Sequence, residues 1–137
     1  MKTLIAAAAA AGALGWAGAA AAQTATEEVS LPLIEGVQFD DTCGPKPEFQ
    51  GRATCVRGSL ASIGPTAEAY ISHFERQGWS VVGGGDNSVI FARRRADGAC
   101  DGLEMAAFYD ETRQPAPGAG GWLAFAPIPG NVCGPAQ

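Results

Sequence analysis

The stretch PTAEAYISHFERQGWSVV, at positions 65–82, decides the fold. Pro65 suits the first position of a helix, with Thr66 as an alternative N-cap, and Gly78 suits the position just after the last turn. The sequence therefore predicts a helix from about Pro65 to Gln77, followed at once by a strand over 79–82. At 3.6 residues per turn, the apolar side chains of this helix fall in one stripe, which must pack on another element: Ala67, Tyr70, Ile71 and Phe74.

Strand-forming segments follow the helix and are separated by turn signals. The glycine-rich stretch 83–87 and the Asp97-Gly98 pair predict tight turns. Short links between successive strands favour an antiparallel meander with the helix across one face. The predicted fold class is α+β: one helix packed on a small antiparallel sheet of three to four strands, over residues 79–82, 89–94, 103–109 and 122–128.

The region before the helix gives weaker signals. Residues 31–39 contain apolar side chains interrupted by Pro32 and Gly36, which predicts either a short edge strand or an extended segment on the core. Residues 40–58 are rich in proline and glycine, and we expect a loop there.

Residues 1–22 have the features of a secretory signal peptide. Lys2 precedes an apolar, alanine-rich run, and small residues up to Ala22 predict cleavage before Gln23. The alternative, an uncleaved membrane anchor, is disfavoured because alanine is only weakly hydrophobic and no basic cluster follows. We expect a signal peptide (1–22), a flexible segment (23–30) and one small α+β domain (31–137). The expected location is the bacterial periplasm or the cell exterior, with no stable membrane anchor after cleavage.

Four cysteines form an even set in an exported chain, which predicts two disulfides. Three pairings are possible. If 103–108 and 122–127 form an antiparallel hairpin, Cys100 falls opposite Gly130 and close to Cys133. This register favours Cys100–Cys133, and Cys43–Cys55 then closes the proline- and glycine-rich loop.

Composition and motifs exclude several classes of function. The net charge is −5, and this surplus of acid argues against a nucleic-acid partner. Cys43-Gly44-Pro45 resembles the start of a thioredoxin-type redox motif, but Lys46 stands where the second cysteine belongs. No CxxC pair accompanies the single histidine, so no zinc site is predicted. We expect no cofactor and no metal.

Catalysis is the weaker of two interpretations. His73 falls at the boundary of the helix's apolar stripe, which predicts a partly exposed surface histidine. The carboxylate pairs Asp40-Asp41 and Asp110-Glu111 are adjacent in sequence, and adjacent side chains point apart in a strand. A small periplasmic hydrolase using these carboxylates or His73 remains an alternative.

Binding is the favoured interpretation. Arg93, Arg94 and Arg95 concentrate positive charge in an acidic protein. They form either a solvated strand end paired with nearby acids or a docking site for an acidic partner, anionic glycan or lipid head group. The loop 110–121 before Trp122 is a second candidate surface. The expected function is an exported, non-catalytic domain that binds a protein or envelope component, and a secreted inhibitor of another enzyme is a further alternative.

Overall fold

An antiparallel sheet with one helix across one face makes up residues 29–134, the part of the chain that the computed structural model describes. The α+β class is confirmed. The predicted signal peptide and most of the predicted flexible segment lie outside these residues. Within them, no helix combines the length and apolar character needed to cross a membrane. The elements are β1 (Gln38–Phe39), β2 (Thr54–Ser59), α1 (Leu60–Arg76), β3 (Ser80–Gly85), β4 (Ser88–Arg94), β5 (Cys100–Tyr109) and β6 (Gly120–Ile128), and the strand order is β1-β2-β6-β5-β4-β3.

The sheet in the described residues has six strands, so the predicted three to four were too few. The main error was β2, which lies in the stretch expected to be a loop. It pairs with β6 along its whole length, from Thr54 opposite Phe125 to Ser59 opposite Gly120. Val56 on this strand is fully buried against the core, whereas its neighbour Arg57 is exposed. β1 is the short edge strand that was one of two predictions for 31–39.

The helix begins five residues earlier than predicted, at Leu60. Its first amide groups find acceptors outside the helix, because Leu60 N–H donates to the carbonyl of Ala119 (2.7 Å) and Ala61 N–H to that of Pro117 (3.1 Å). These bonds satisfy donors that every helix start leaves open. Pro65 therefore lies in the second turn, inside the helix. The predicted stop at Gly78 is confirmed, with a φ of 87°.

The core between α1 and the sheet is built around Phe74. Its ring lies edge-on to Phe91 at a centroid distance of 5.2 Å and to Phe125 at 5.8 Å, and it also contacts the rings of Tyr70 and Trp79. Phe74 and Tyr70 are completely buried. Burial of side chains of this size contributes about 1.5–3 kcal/mol each.

The β5–β6 hairpin has the predicted register. Leu103 lies opposite Pro127 and Phe108 opposite Trp122. Both predicted disulfides are confirmed, Cys43–Cys55 and Cys100–Cys133, and the second joins the open end of this hairpin.

Two glycine-containing turns were predicted in the strands after the helix. The Asp97-Gly98 turn is confirmed, with Gly98 at a φ of 85°. The stretch 83–87 is only partly a turn, because the three glycines continue β3 and the turn consists of Asp86 and Asn87.

Candidate functional site

The sheet face away from α1 is covered by the segment 40–53, which we call the capping loop. The Cys43–Cys55 disulfide ties this loop to β2, and both cysteines are buried. A second apolar cluster forms between the loop and the sheet, and it is separate from the core beneath the helix. Its members are Cys43, Phe49, Ala53, Cys55, Phe108, Trp122 and Ala124.

Aromatic rings in this cluster form a row that ends in a guanidinium group. Phe49 stacks on Phe108 with a centroid distance of 5.5 Å, and Phe108 stacks on Trp122 at 6.1 Å with only 7° between the ring planes. The Arg57 guanidinium carbon lies 5.4 Å from the centroid of the Trp122 ring. The strand pairing explains why Phe108, Trp122 and Arg57 follow one another in this row. Trp122 on β6 is directly opposite Phe108 on β5 and directly opposite Arg57 on β2. Directly opposed side chains project from the same face of a sheet.

Asp40 fixes the orientation of the Trp122 indole. The indole Nε1–H donates to Oδ2 of Asp40 at 2.8 Å, while Oδ1 accepts from the hydroxyl of Thr42 at 2.6 Å and from its backbone N–H at 3.0 Å. The Thr42 hydroxyl, followed by the Trp122 indole, lowers the pKa of Asp40 below its ordinary value of 3.8. Asp40 is therefore an ionised acceptor at neutral pH.

Two glycines leave room for the Trp122 ring. A Cβ atom on Gly44 would lie 2.3 Å from Cε2 of the indole, and one on Gly120 would lie 2.8 Å from its Cη2. Gly44 also has a φ of 53°, a conformation that favours glycine. The Cys43-Gly44-Pro45 tripeptide therefore has a structural role here: a cross-link followed by a glycine that contacts the indole.

A cleft of about 380 Å³ opens beside Arg57 and Trp122, and we call it the Arg57 cleft. This volume lies within the range of small-ligand sites. The segment 109–120 forms the wall opposite the capping loop. The side chains and backbone that matter most for recognition are those of Gly44, Arg57, Tyr109, Arg113, Gln114 and Trp122.

The second wall repeats the turn found at Asp40. Oδ1 of Asp110 accepts from the hydroxyl of Thr112 at 2.6 Å and from its backbone N–H at 3.0 Å, and Oδ2 lies 3.3 Å from Nε of Arg113. The Thr112 contacts, with a smaller contribution from Arg113, lower the pKa of Asp110. Both walls of the site thus begin with an Asp-x-Thr turn in which each carboxylate oxygen has a partner.

Of the candidate catalytic residues, Asp110 lines the Arg57 cleft and Asp40 is bonded to Trp122 beside it, whereas the others are not brought to the cleft. His73 lies on α1, on the other side of the sheet from the Arg57 cleft, and its Nε2–H donates to the carbonyl of Ser30 at 3.1 Å. It is partly exposed, as predicted. Asp41 and Glu111, the second members of the two acidic pairs, are exposed.

The arginine run has three different environments. Arg93 stacks on the ring of the buried Trp79, with its guanidinium carbon 4.6 Å from the centroid. Arg94 is exposed and donates to the carbonyl of Gly98 at 3.0 Å. These contacts do not test the predicted docking role of the run.

Arg95 is the member of the run with acidic partners. Its guanidinium lies 3.0 Å from Oδ1 of Asp101 and 3.3 Å from Oδ2 of Asp97. The hydrogen bond to Asp97 raises the pKa of Arg95, and the amide of Ala99 together with Arg95 lowers the pKa of Asp97. This pairing matches the solvated-strand-end interpretation for Arg95.

Sequence reasoning missed Arg57 as a site residue because β2 was expected to be a loop. The period-two signal of a strand was weak there, because Cys55 and Val56 are both buried between the exposed Thr54 and Arg57. No protein-family model, curated protein or solved structure matches this chain.

Proposed function

We propose that this protein is an exported, non-catalytic domain that binds a protein or another envelope component through the Arg57 cleft. The group bound is anionic and lies against an aromatic surface. The observation that carries the proposal is the Arg57 guanidinium, which is held over the ring of Trp122 at the side of a cleft.

The chemistry of Arg57 supports an anionic ligand. A guanidinium group offers parallel N–H donors that match a carboxylate or phosphate, and a guanidinium already stacked on a ring loses less freedom on binding. Within residues 29–134, the ion pairs join Arg95 to Asp97 and Asp101, and Arg113 to Asp110, so none of them involves Arg57.

The lowered pKa values of the carboxylates at the site favour a binding role over a role in proton transfer. Asp40 and Asp110 accept hydrogen bonds from the threonines of their turns, and their pKa values are lowered. An acid that donates protons near neutral pH needs a raised pKa instead. In this site the carboxylates position Trp122 and Arg113, which are the groups that face a ligand.

The disulfides support an exported location. Both cysteine pairs are joined, and no free cysteine remains among the described residues. Such cross-links persist in oxidising compartments outside the cytosol. Together with the signal-like sequence of residues 1–22, they favour the periplasm or the cell exterior.

The first experiment is a comparison of captured partners. The mature oxidised protein and its Arg57→Gln variant are immobilised and exposed to envelope extract, and the retained components are identified. We expect at least one component to be retained by the native protein and lost with Arg57→Gln, because the bound anion loses its charged partner. The matched control is Arg52→Gln, an exposed arginine of the capping loop that does not line the cleft.

The second experiment locates the binding surface. On addition of the retained component, we expect the Nε1–H resonance of Trp122 to shift in a ¹⁵N spectrum, while that of Trp79, buried beneath the helix, stays in place. Equal capture by native protein and Arg57→Gln contradicts the proposal, as does a bound component that leaves the Trp122 signal unchanged.

A further inference from the structure

The strand β3 is an open edge of the sheet. It pairs with β4 on one side, and the strand order places no described strand on its other side. All six of its residues are exposed, including Val81 (48%) and Val82 (59%). Edge strands are usually protected by charged residues or proline, because their free N–H and C=O groups pair readily with another strand. The sequence of β3, SVVGGG, contains neither, and its one protective feature is the bulge between Val81 and Gly83.

The sequence of β3 is complementary to itself in the antiparallel direction. Its first half carries the bulky valines and its second half consists of glycines. When two copies of β3 run antiparallel about a two-fold axis, the valines of each copy meet glycines of the other. The three unique pairs are Ser80 with Gly85, Val81 with Gly84, and Val82 with Gly83.

The bulge in β3 makes this register compatible with the pleat of the sheet. Val81 lies opposite Phe91 and Gly84 opposite Val89, and the register shifts between Val81 and Gly83. Phe91 and Val89 are two residues apart on β4 and so project from the same face. Val81 and Gly84 therefore share a face in spite of their odd spacing, as a directly opposed pair requires.

The ends of β3 are complementary in charge. Asp86 follows the last glycine, while the exposed Arg94 lies two residues beyond Ala92, the residue opposite Ser80 at the start of β3. In the antiparallel arrangement, Asp86 of each copy comes alongside the start of β3 in the other copy, one strand away from Arg94 on β4. Opposite charges placed this way favour one register and disfavour parallel pairing.

We propose that β3 pairs edge to edge with β3 of a second copy, forming a two-fold symmetric dimer whose sheet continues through both chains. The contact is isologous, which is the usual arrangement of homodimers. It adds main-chain hydrogen bonds between the two edges, as in other strand-addition complexes. The Arg57 cleft is not part of this dimer contact, so the dimer can be tested independently of the proposed binding function.

The test is the mass of the mature oxidised protein in solution, measured by sedimentation over a range of concentrations. We expect a concentration-dependent dimer and slowed amide exchange at residues 80–85. A lysine at Val82 places like charges near the two-fold axis, and Val82→Lys is expected to weaken dimerisation by about tenfold or more. Leu33→Lys is the matched control, because Leu33 is similarly exposed (54%) but lies outside β3.

A charge exchange tests the register. We expect Asp86→Arg and Arg94→Asp each to weaken the dimer, and the double variant to recover most of the affinity. Circular dichroism verifies that each variant is folded. A native protein that is monomeric at all concentrations overturns the proposal. So does a dimer unaffected by Val82→Lys, equal loss with Leu33→Lys, or a double variant no tighter than the single ones.

Discussion

The indole Nε1–H of Trp122 donates a 2.8 Å hydrogen bond to Oδ2 of Asp40, a residue 82 positions earlier in the chain. Trp122 belongs to the middle of the sheet, whereas Asp40 begins the loop that covers it. This bond and the Cys43–Cys55 disulfide hold the capping loop against the same ring that Arg57 stacks on. The geometry of the Arg57 cleft therefore depends on Asp40, although Asp40 itself is not part of its lining.

Replacing Asp40 with asparagine is expected to destabilise the protein by about 1 kcal/mol at neutral pH, since a charge-assisted hydrogen bond becomes a neutral one. The folded-state pKa of Asp40 lies below 3.8. Its contribution to stability is therefore present above about pH 4 and is lost as the pH falls through the lowered pKa. The difference in unfolding free energy between native protein and Asp40→Asn should shrink in urea titrations from about pH 5 to about pH 2.

Asp41→Asn is the control for this measurement, because Asp41 is exposed and adjacent in sequence. We expect its unfolding free energy to follow that of the native protein across the same pH range. A constant difference between native and Asp40→Asn at every pH is incompatible with an ionised Asp40 holding the indole.

Gly44→Ala is expected to disturb the site more than the same change at Gly51. Both glycines have positive φ, 53° and 71°, so both substitutions carry a backbone cost of about 1 kcal/mol. Only at Gly44 does the new Cβ meet the Trp122 ring, whereas nothing lies within 4 Å at Gly51. Overpacking adds a further cost of about 1–3 kcal/mol.

Thermal unfolding and the Trp122 Nε1–H resonance measure the two effects. Gly44→Ala should lower the melting temperature more and shift the indole signal, and Gly51→Ala should leave the indole signal in place. Equal losses of stability for the two variants argue against a close contact between Gly44 and the ring.

The sequence predicted elements whose determinants are local. The β5–β6 hairpin, its register and the Cys100–Cys133 bond follow from two apolar segments joined by a loop and from one spacing argument. The end of α1 at Gly78 follows from a single glycine with φ of 87°. In each case the residues that determine the element lie close together in the sequence or belong to one hairpin.

The errors have nonlocal causes. β2 is a strand because β6, more than 60 residues later, pairs with it, and the prolines and glycines just before it gave the segment a loop-like composition. The early start of α1 depends on the carbonyls of Ala119 and Pro117. The Arg57 cleft was missed for the same reason, because its two walls come from separate segments that only the sheet brings together.

Removing the Cys43–Cys55 disulfide by a double alanine substitution is expected to cost roughly 3 kcal/mol, the chain-entropy value for a loop of about this length. The two cysteines are 12 residues apart and both are buried. Urea unfolding measures the loss. The Trp122 resonance should broaden or move, because this cross-link holds the capping loop against the ring.

A thiol count on the unreduced, unfolded protein tests whether both disulfides are formed. We expect no reactive thiol in the native protein, and two or more would contradict the disulfide assignment. Removing Cys100–Cys133, whose cysteines are 33 residues apart, should cost about 4 kcal/mol and leave the Trp122 signal nearly unchanged. A larger change in that signal than the one caused by losing Cys43–Cys55 would show that the capping loop is held by other contacts.

The hydroxyl of Tyr70 holds the segment 29–37 against the helix. It donates to the carbonyl of Pro32 at 2.8 Å, and burial of the side chain raises its pKa above the ordinary value of 10.0. Tyr70→Phe keeps the ring in the core but leaves the Pro32 carbonyl without this donor. We expect a loss of about 1 kcal/mol in unfolding free energy and faster deuterium uptake across residues 31–36. His73→Ala should add to that uptake by removing the second bond to the segment, and Tyr109→Phe, at the end of β5 beside the Arg57 cleft, should leave it unchanged. Uptake identical to the native protein in Tyr70→Phe would mean that the apolar contacts of Leu31 and Ile34 alone hold the segment in place.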